Sequence, residues 1–244
     1  MPKRKRAEAN KKKKASPAAT LEDDGYLFKR SLLTTTATRS LLRALSAAAS
    51  QDGLLCDQFD RVPVKEWRTA PKRGACDALL AVDAIKRPVK RIVDALGDEW
   101  AKSSVCSVGL LETPKGAPPG CVHSDLAAAA RGAGLTVLVG LTKKGSAGTE
   151  VLSTKLVLAS EENVAGDYGT GEATEAFKEG SAKTLGYNEG DVLFMGQHTF
   201  HRASSTKGRK GVKSLLYLVL SKSAEGLEKA LSLDTNHNYG DESS

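Results

Sequence analysis

The sequence predicts an α+β, mainly β protein: a jelly-roll core of two antiparallel sheets, with N-terminal helices packed on the larger sheet. Three observations predict it. Beyond Val105 the chain breaks into short β-like runs separated by Gly and Pro, at 105–111, 135–142, 149–158, 191–195 and 213–221. Two of these, Leu135-Thr136-Val137-Leu138-Val139 and Leu215-Leu216-Tyr217-Leu218-Val219-Leu220, are apolar on both faces instead of alternating. A strand covered on both faces needs a second sheet on one side and a further layer on the other. The segment before Val105 has helical periodicity and supplies that layer. Two sheets and a helical cover over about 120 residues suit a jelly roll.

The elements follow in chain order. Residues 1–25 are Lys/Ala-rich without hydrophobic periodicity and read as a disordered arm. Within it Lys3-Arg4-Lys5-Arg6 and Lys11 to Lys14 form two basic clusters that suit a nuclear import address. A solvated tail that adheres weakly to any polyanion is the plainer reading. Residues 26–103 form a helical support segment. Thr38 is placed to cap a helix whose Leu41, Leu42, Leu45, Ala48 and Ala49 share a face, ending near Gly53. A second helix is expected over Ala75–Lys86. A third starts at Pro88, with Val89, Ile92, Val93, Leu96 and Trp100 on one stripe. The jelly-roll core spans 104–222, with a short inserted helix over Gly171–Glu179. A last helix at about 223–232 opens the polar tail 223–244.

Composition narrows the function. With 40% apolar and 27% charged residues in 244, the chain can build a core. No apolar run approaches the ~20 residues of a membrane span, and no signal-peptide core is visible. The net charge of +7 lies in the arm. Residues 1–14 hold eight of the 36 basic side chains and one acid, Glu8, of the 29, which leaves 28 of each sign elsewhere. A neutral body gives no electrostatic case for duplex DNA. Two Trp, five Tyr and five Phe are too few for a stacking platform on single strands. Cys56, Cys76, Cys106 and Cys121 form no CxxC pair, so they read as free thiols in a reducing compartment, the nucleus or otherwise the cytoplasm.

Four histidines are present, His123, His198, His201 and His237. In His123-Ser124-Asp125, residues i and i+2 of a strand point to one face, so an imidazole and a carboxylate can grip one metal ion. With 29 acids in 244 residues such a pair arises readily by chance, and alone it decides nothing. Downstream lies Gly190-Asp191-Val192-Leu193-Phe194-Met195-Gly196-Gln197-His198-Thr199-Phe200-His201-Arg202, a turn, a buried strand, a second turn and a histidine entering the next strand. Lys213-Ser214-Leu215-Leu216-Tyr217-Leu218 then puts a basic residue at the mouth of a buried strand. This order, with Gly148-Thr149-Glu150-Val151-Leu152 as a second hairpin, resembles the Fe(II)- and 2-oxoglutarate-dependent dioxygenases, the double-stranded β-helix oxygenases, over about 105–221.

The resemblance implies His123, Asp125 and His201 as iron ligands, two imidazoles and one carboxylate on one octahedral face with the other positions open. His201 is preferred to His198 because the family's ligand lies about ten residues past the Asp of the Gly-Asp turn. His198 then reads as a turn residue and His237 as solvated surface. Lys213, with Arg209 as the alternative, would pair with the distal carboxylate of 2-oxoglutarate. The family commonly uses Arg there, whose two-pronged grip Lys lacks. Arg202 should point away from the metal into a surface salt bridge. No catalytic side chain is implied beyond the metal site. The implied cofactors are Fe(II), 2-oxoglutarate as co-substrate and O₂, giving succinate, CO₂ and a hydroxylated or demethylated product. A protein residue is the preferred substrate. Nuclear import machinery is the partner expected at residues 3–14, nucleic acid lacks support from the neutral body, and no membrane is expected. Two other readings keep the fold: an inactive nuclear binding module acting through its arm, and a cupin-like metal enzyme that does not use 2-oxoglutarate. Convergence of His123, Asp125, His201 and Lys213 would separate the enzyme from the module. A metal site without a basic group in reach would mark the cupin.

Overall fold

A computed structural model describes residues 16–50, 55–61, 64–69, 74–125, 134–142, 148–153, 171–196, 199–208 and 211–222. Ten strands and five helices are described: α1 (Pro17–Asp24), β1 (Tyr26–Lys29), α2 (Thr35–Ala49), β2 (Leu55–Arg61), β3 (Val64–Thr69), α3 (Ala75–Leu80), α4 (Asp83–Asp94), β4 (Ser104–Thr113), β5 (Gly134–Gly140), β6 (Gly148–Val151), α5 (Gly171–Lys178), β7 (Lys183–Gly186), β8 (Val192–Gly196), β9 (His201–Ala203) and β10 (Lys213–Ser221). The large sheet has the order β1-β8-β5-β10-β4-β3-β2 and the small sheet β7-β6-β9. Every described pairing is antiparallel.

The apolar runs make the core for the reason their pattern suggested. All nine residues of β10 are buried between β5 and β4. Strand alternation sends Leu216, Leu218 and Leu220 to one face, where Val108, Leu110, Val137 and Phe194 meet Leu41 and Leu45 of α2 and Ile85, Val89 and Ile92 of α4. Leu215, Tyr217 and Val219 face the other way, joining Leu138, Leu193 and Met195 against Val151 of β6, Leu185 of β7 and Tyr187. Helices therefore cover one face of the large sheet and the small sheet covers the other. The fold class is the jelly roll expected.

The N-terminal third departs from expectation. Residues 26–102 are not helical throughout: β1, β2 and β3 extend the large sheet. Leu55-Cys-Asp-Gln-Phe-Asp-Arg61 and Val64-Lys-Glu-Trp-Arg-Thr69 are too polar to show an apolar alternation; β3 is held by pairing with β4, and β2 by pairing with β3. The cap of α2 is Thr34, whose side chain accepts from Ala37 N at 3.3 Å, not Thr38. Thr38 is buried one turn further on and donates its hydroxyl to Thr34 O at 2.9 Å. The break between the second and third helices falls at Ala81–Val82, so Pro88 is the sixth residue of α4 instead of its first turn. It forfeits one helical hydrogen bond there, but its ring lies on the buried stripe beside Ile85, Val89 and Ile92.

Pro17–Asp24 is the helix α1, and its Leu21 packs against the core, so the segment read as an arm is shorter than 1–25. Residues 1–15, the helix expected at 223–232 and the part of the 149–158 run beyond residue 153 lie outside the described residues. Cys76, Cys106 and Cys121 are free thiols. Burial pushes Cys76 up to about 12 and Cys106 up to about 11, which suits small packed hydrophobes rather than nucleophiles. Among the described residues, no helix is long and apolar enough to cross a membrane.

Candidate metal centre

His123 and His201 face each other across one antiparallel bridge, the edge contact of the small sheet beyond β9. His123 N donates to His201 O at 3.0 Å and His201 N donates back to His123 O at 2.8 Å. This exchange puts the rings side by side, with centroids 4.4 Å apart. His123-Ser124-Asp125 is thus not part of a continuous strand. A single bridge anchors His123, and Asp125 sits in the bend that follows. The Asp125 Oδ1 atom lies 3.8 Å from Nε2 of His123 and 3.7 Å from Nε2 of His201. Ligand atoms of the three residues all fall within 4.8 Å of one another.

The tautomers are set for metal binding. His123 Nδ1 lies 3.0 Å from Cys121 O and His201 Nδ1 lies 2.9 Å from Thr199 O. A carbonyl oxygen only accepts, so each Nδ1 carries the proton and each Nε2 turns its lone pair toward Asp125. The hydroxyl of Thr136 donates to Asp125 Oδ2 at 2.5 Å. Two imidazole nitrogens and one carboxylate oxygen are a donor set that fits Fe(II).

Lys213 heads β10 and is 2% exposed, pointing to the same side as Leu215 and Tyr217, between the sheets. Its Nζ donates to Gly148 O at 2.6 Å and lies 5.8 Å from the centroid of the Tyr187 ring. The Tyr187 hydroxyl is 3.0 Å from Thr149 Oγ1. Burial pulls the Lys213 ammonium down to about 7. Arg209, His198 and His237 lie outside the described residues. Arg202 turns away from the centre, pairs with Glu150 at 2.6 Å and covers the Phe177 ring of α5 at 4.9 Å.

No protein-family model and no curated protein sequence matches the chain. Solved structures do match. The non-heme alpha ketoglutarate dependent carbocyclase SnoK from nogalamycin biosynthesis superposes with a TM-score of 0.62 at 17% identity, over 84% of this chain and 82% of that one. HygX from Streptomyces hygroscopicus, with nickel, 2-oxoglutarate and hygromycin B bound, gives 0.53 at 13% identity over 85% and 87%. A Pseudomonas putida prolyl-4-hydroxylase gives 0.52 at 13% identity over 85% and 100%. This chain has the 2-oxoglutarate-dependent oxygenase fold.

Three features of this oxygenase fold were not foreseen from sequence. Thr136 appeared as one more residue of an apolar strand, though it is the lone polar side chain in Leu135–Val139. Tyr187 and Thr149 beside Lys213 carried no signal of their own. Asp191 appeared as a turn marker and is in fact fully buried. Its Oδ1 accepts from Ser31 N at 2.8 Å, and its Oδ2 from Asn188 N at 2.8 Å and Arg30 Nη1 at 2.6 Å. It thereby ties the chain entering α2 to the turn that launches β8 and leads on to His201. Gly190 before it has φ of +82°, and a Cβ there would stand 2.2 Å from Leu33 O.

Proposed function

We propose that this protein is an Fe(II)- and 2-oxoglutarate-dependent dioxygenase that hydroxylates its substrate, or demethylates it by hydroxylation, with release of succinate and CO₂. The observation that carries this reading is the convergence of His123 Nε2, His201 Nε2 and Asp125 Oδ1, with both imidazole tautomers preset by backbone carbonyls. An inactive binding module has no need of that arrangement. Iron, when bound, would supply O₂ activation coupled to decarboxylation of 2-oxoglutarate. His123, His201 and Asp125 would hold the ion and leave coordination positions for co-substrate and O₂.

Lys213 supports 2-oxoglutarate as the co-substrate and disfavours the cupin-like reading. From Gly148, whose carbonyl holds the Lys213 ammonium, β6 runs to Val151, which pairs with His201. Three residues of strand cover about 10 Å. A five-carbon diacid suits that span, with its keto-acid end at the metal and its distal carboxylate at Lys213. A buried carboxylate needs a fixed cation to offset its desolvation, and its arrival strengthens the hold of Lys213 on its proton. The Tyr187–Thr149 pair flanks the same ammonium. We take a protein residue as the substrate and residues 3–14 as a nuclear import address, the latter on the strength of the two basic clusters.

The test needs no substrate. Under nitrogen, Fe(II) and then 2-oxoglutarate are added to the full chain, and the visible charge-transfer band of the chelate is recorded. The band is expected in wild type, absent in His201→Ala and weakened in Lys213→Ala. A folded wild type that gives no band refutes the proposal.

A further inference from the structure

We propose that Thr136 is a positioning residue of the metal centre: its hydroxyl holds Asp125 Oδ2 so that Oδ1 alone is presented between the two imidazoles. This rests on the metal-centre reading above and adds the device that fixes its third ligand. The histidines are each held twice, by the reciprocal backbone bonds of the 123–201 bridge and by Nδ1 on a carbonyl. Asp125 lies past that bridge, in a bend, and its two carboxylate oxygens are chemically equivalent. Rotation about its last side-chain bond would exchange them or offer both to the ion.

Thr136 takes one of these oxygens, Oδ2, with its hydroxyl. It sits in β5, opposite Met195 of β8 and Val219 of β10, and its side chain is fully buried on the face that meets the small sheet. A β-branched side chain in such a strand has little rotamer freedom, so the position of its hydroxyl is set by the sheet. A hydroxyl among apolar neighbours is costly unless bonded, and a bond to a carboxylate is of the strong, charge-assisted kind. The large sheet thus dictates the orientation of a ligand carried by a bend outside it. One-oxygen ligation also keeps a coordination position open that a two-oxygen grip would occupy.

The experiment is an anaerobic Co(II) titration of the full chain, read by the visible ligand-field band, in wild type, Asp125→Ala, Thr136→Val and Thr136→Ser. Near-UV circular dichroism of the metal-free proteins reports folding. Wild type is expected to bind and Asp125→Ala to lose the band. Thr136→Val should bind about 10–100-fold more weakly with an altered band, and Thr136→Ser should recover most of the affinity. If Thr136→Val fails to fold, Thr136→Ala against Thr136→Ser decides on the same criterion. A folded Thr136→Val, or in its place Thr136→Ala, with wild-type affinity and band overturns the inference while the metal centre stands. A wild type that binds no Co(II) overturns both.

Discussion

Among single residues, Lys213 combines burial with a charge that matters. Its ammonium is pulled from the usual 10.5 to about 7 because the interior disfavours the cation. Between those values the unfolded chain holds a proton that the folded chain does not, so this residue makes stability rise with pH across that range. Ligand binding runs the opposite way. A carboxylate that pairs with the protonated amine should bind about tenfold more weakly for each pH unit above about 7, as measured by anaerobic calorimetry with 2-oxoglutarate. Lys213→Arg, which keeps its charge, should flatten that dependence, and an equally steep profile in the Arg variant would exclude Lys213 as the titrating group. At this scale the sequence was readable where chemistry is rare. Three of its four histidines lie in two short motifs, and a lysine heading an otherwise apolar strand has few structural uses. Thr136 escaped because threonine is ordinary in strands, and its role depends on Asp125, which packing brings to it.

The element that organises the site is the turn at Gly190–Asp191. Removing the buried Asp191 carboxylate leaves two partly buried backbone N–H groups, those of Ser31 and Asn188, without that acceptor. Hydrogen bonds to a charged group contribute about 1.5–3 kcal/mol each, so Asp191→Ala should destabilise by roughly 3 kcal/mol in urea titration. Arg30 is half-exposed, and Arg30→Ala should cost about 1 kcal/mol or less although it removes the same ion pair. If the two variants cost the same, the ion pair rather than the backbone clasp carries the turn. The Gly-Asp pair was visible in the sequence as a turn, but its partner thirty-first in the chain was not, because no local pattern links Ser31 to Asp191. Strands β2 and β3 were missed for a related reason. Pairing defines them, β3 with β4 and β2 with β3, and periodicity reports only on apolar spacing. The strongly apolar strands β5, β8 and β10 were legible because their composition alone requires cover on both faces.

For the molecule as a whole, charge and fold are separate. The body is neutral, and the excess of basic residues sits in residues 1–14. Fusion of residues 1–15 to an evenly distributed reporter should concentrate it in the nucleus, and replacing Lys11 to Lys14 with Ala should reverse this. A reporter that stays evenly distributed would leave the segment as a plain basic tail. The layer arrangement was readable from the sequence, whereas the order of strands within the sheet was not, since it depends on pairings between distant residues. That order has a consequence for synthesis. β10 is the last described strand to be made, yet it fills the middle of the large sheet, between β5 and β4. Until residues 213–221 leave the ribosome, β4 and β5 have no shared neighbour, and their apolar faces wait unpaired. At roughly 5–20 residues per second that interval lasts several seconds for this chain. A nascent molecule therefore passes through a sticky, half-built stage, when chaperone contact or aggregation competes with insertion of its central strand.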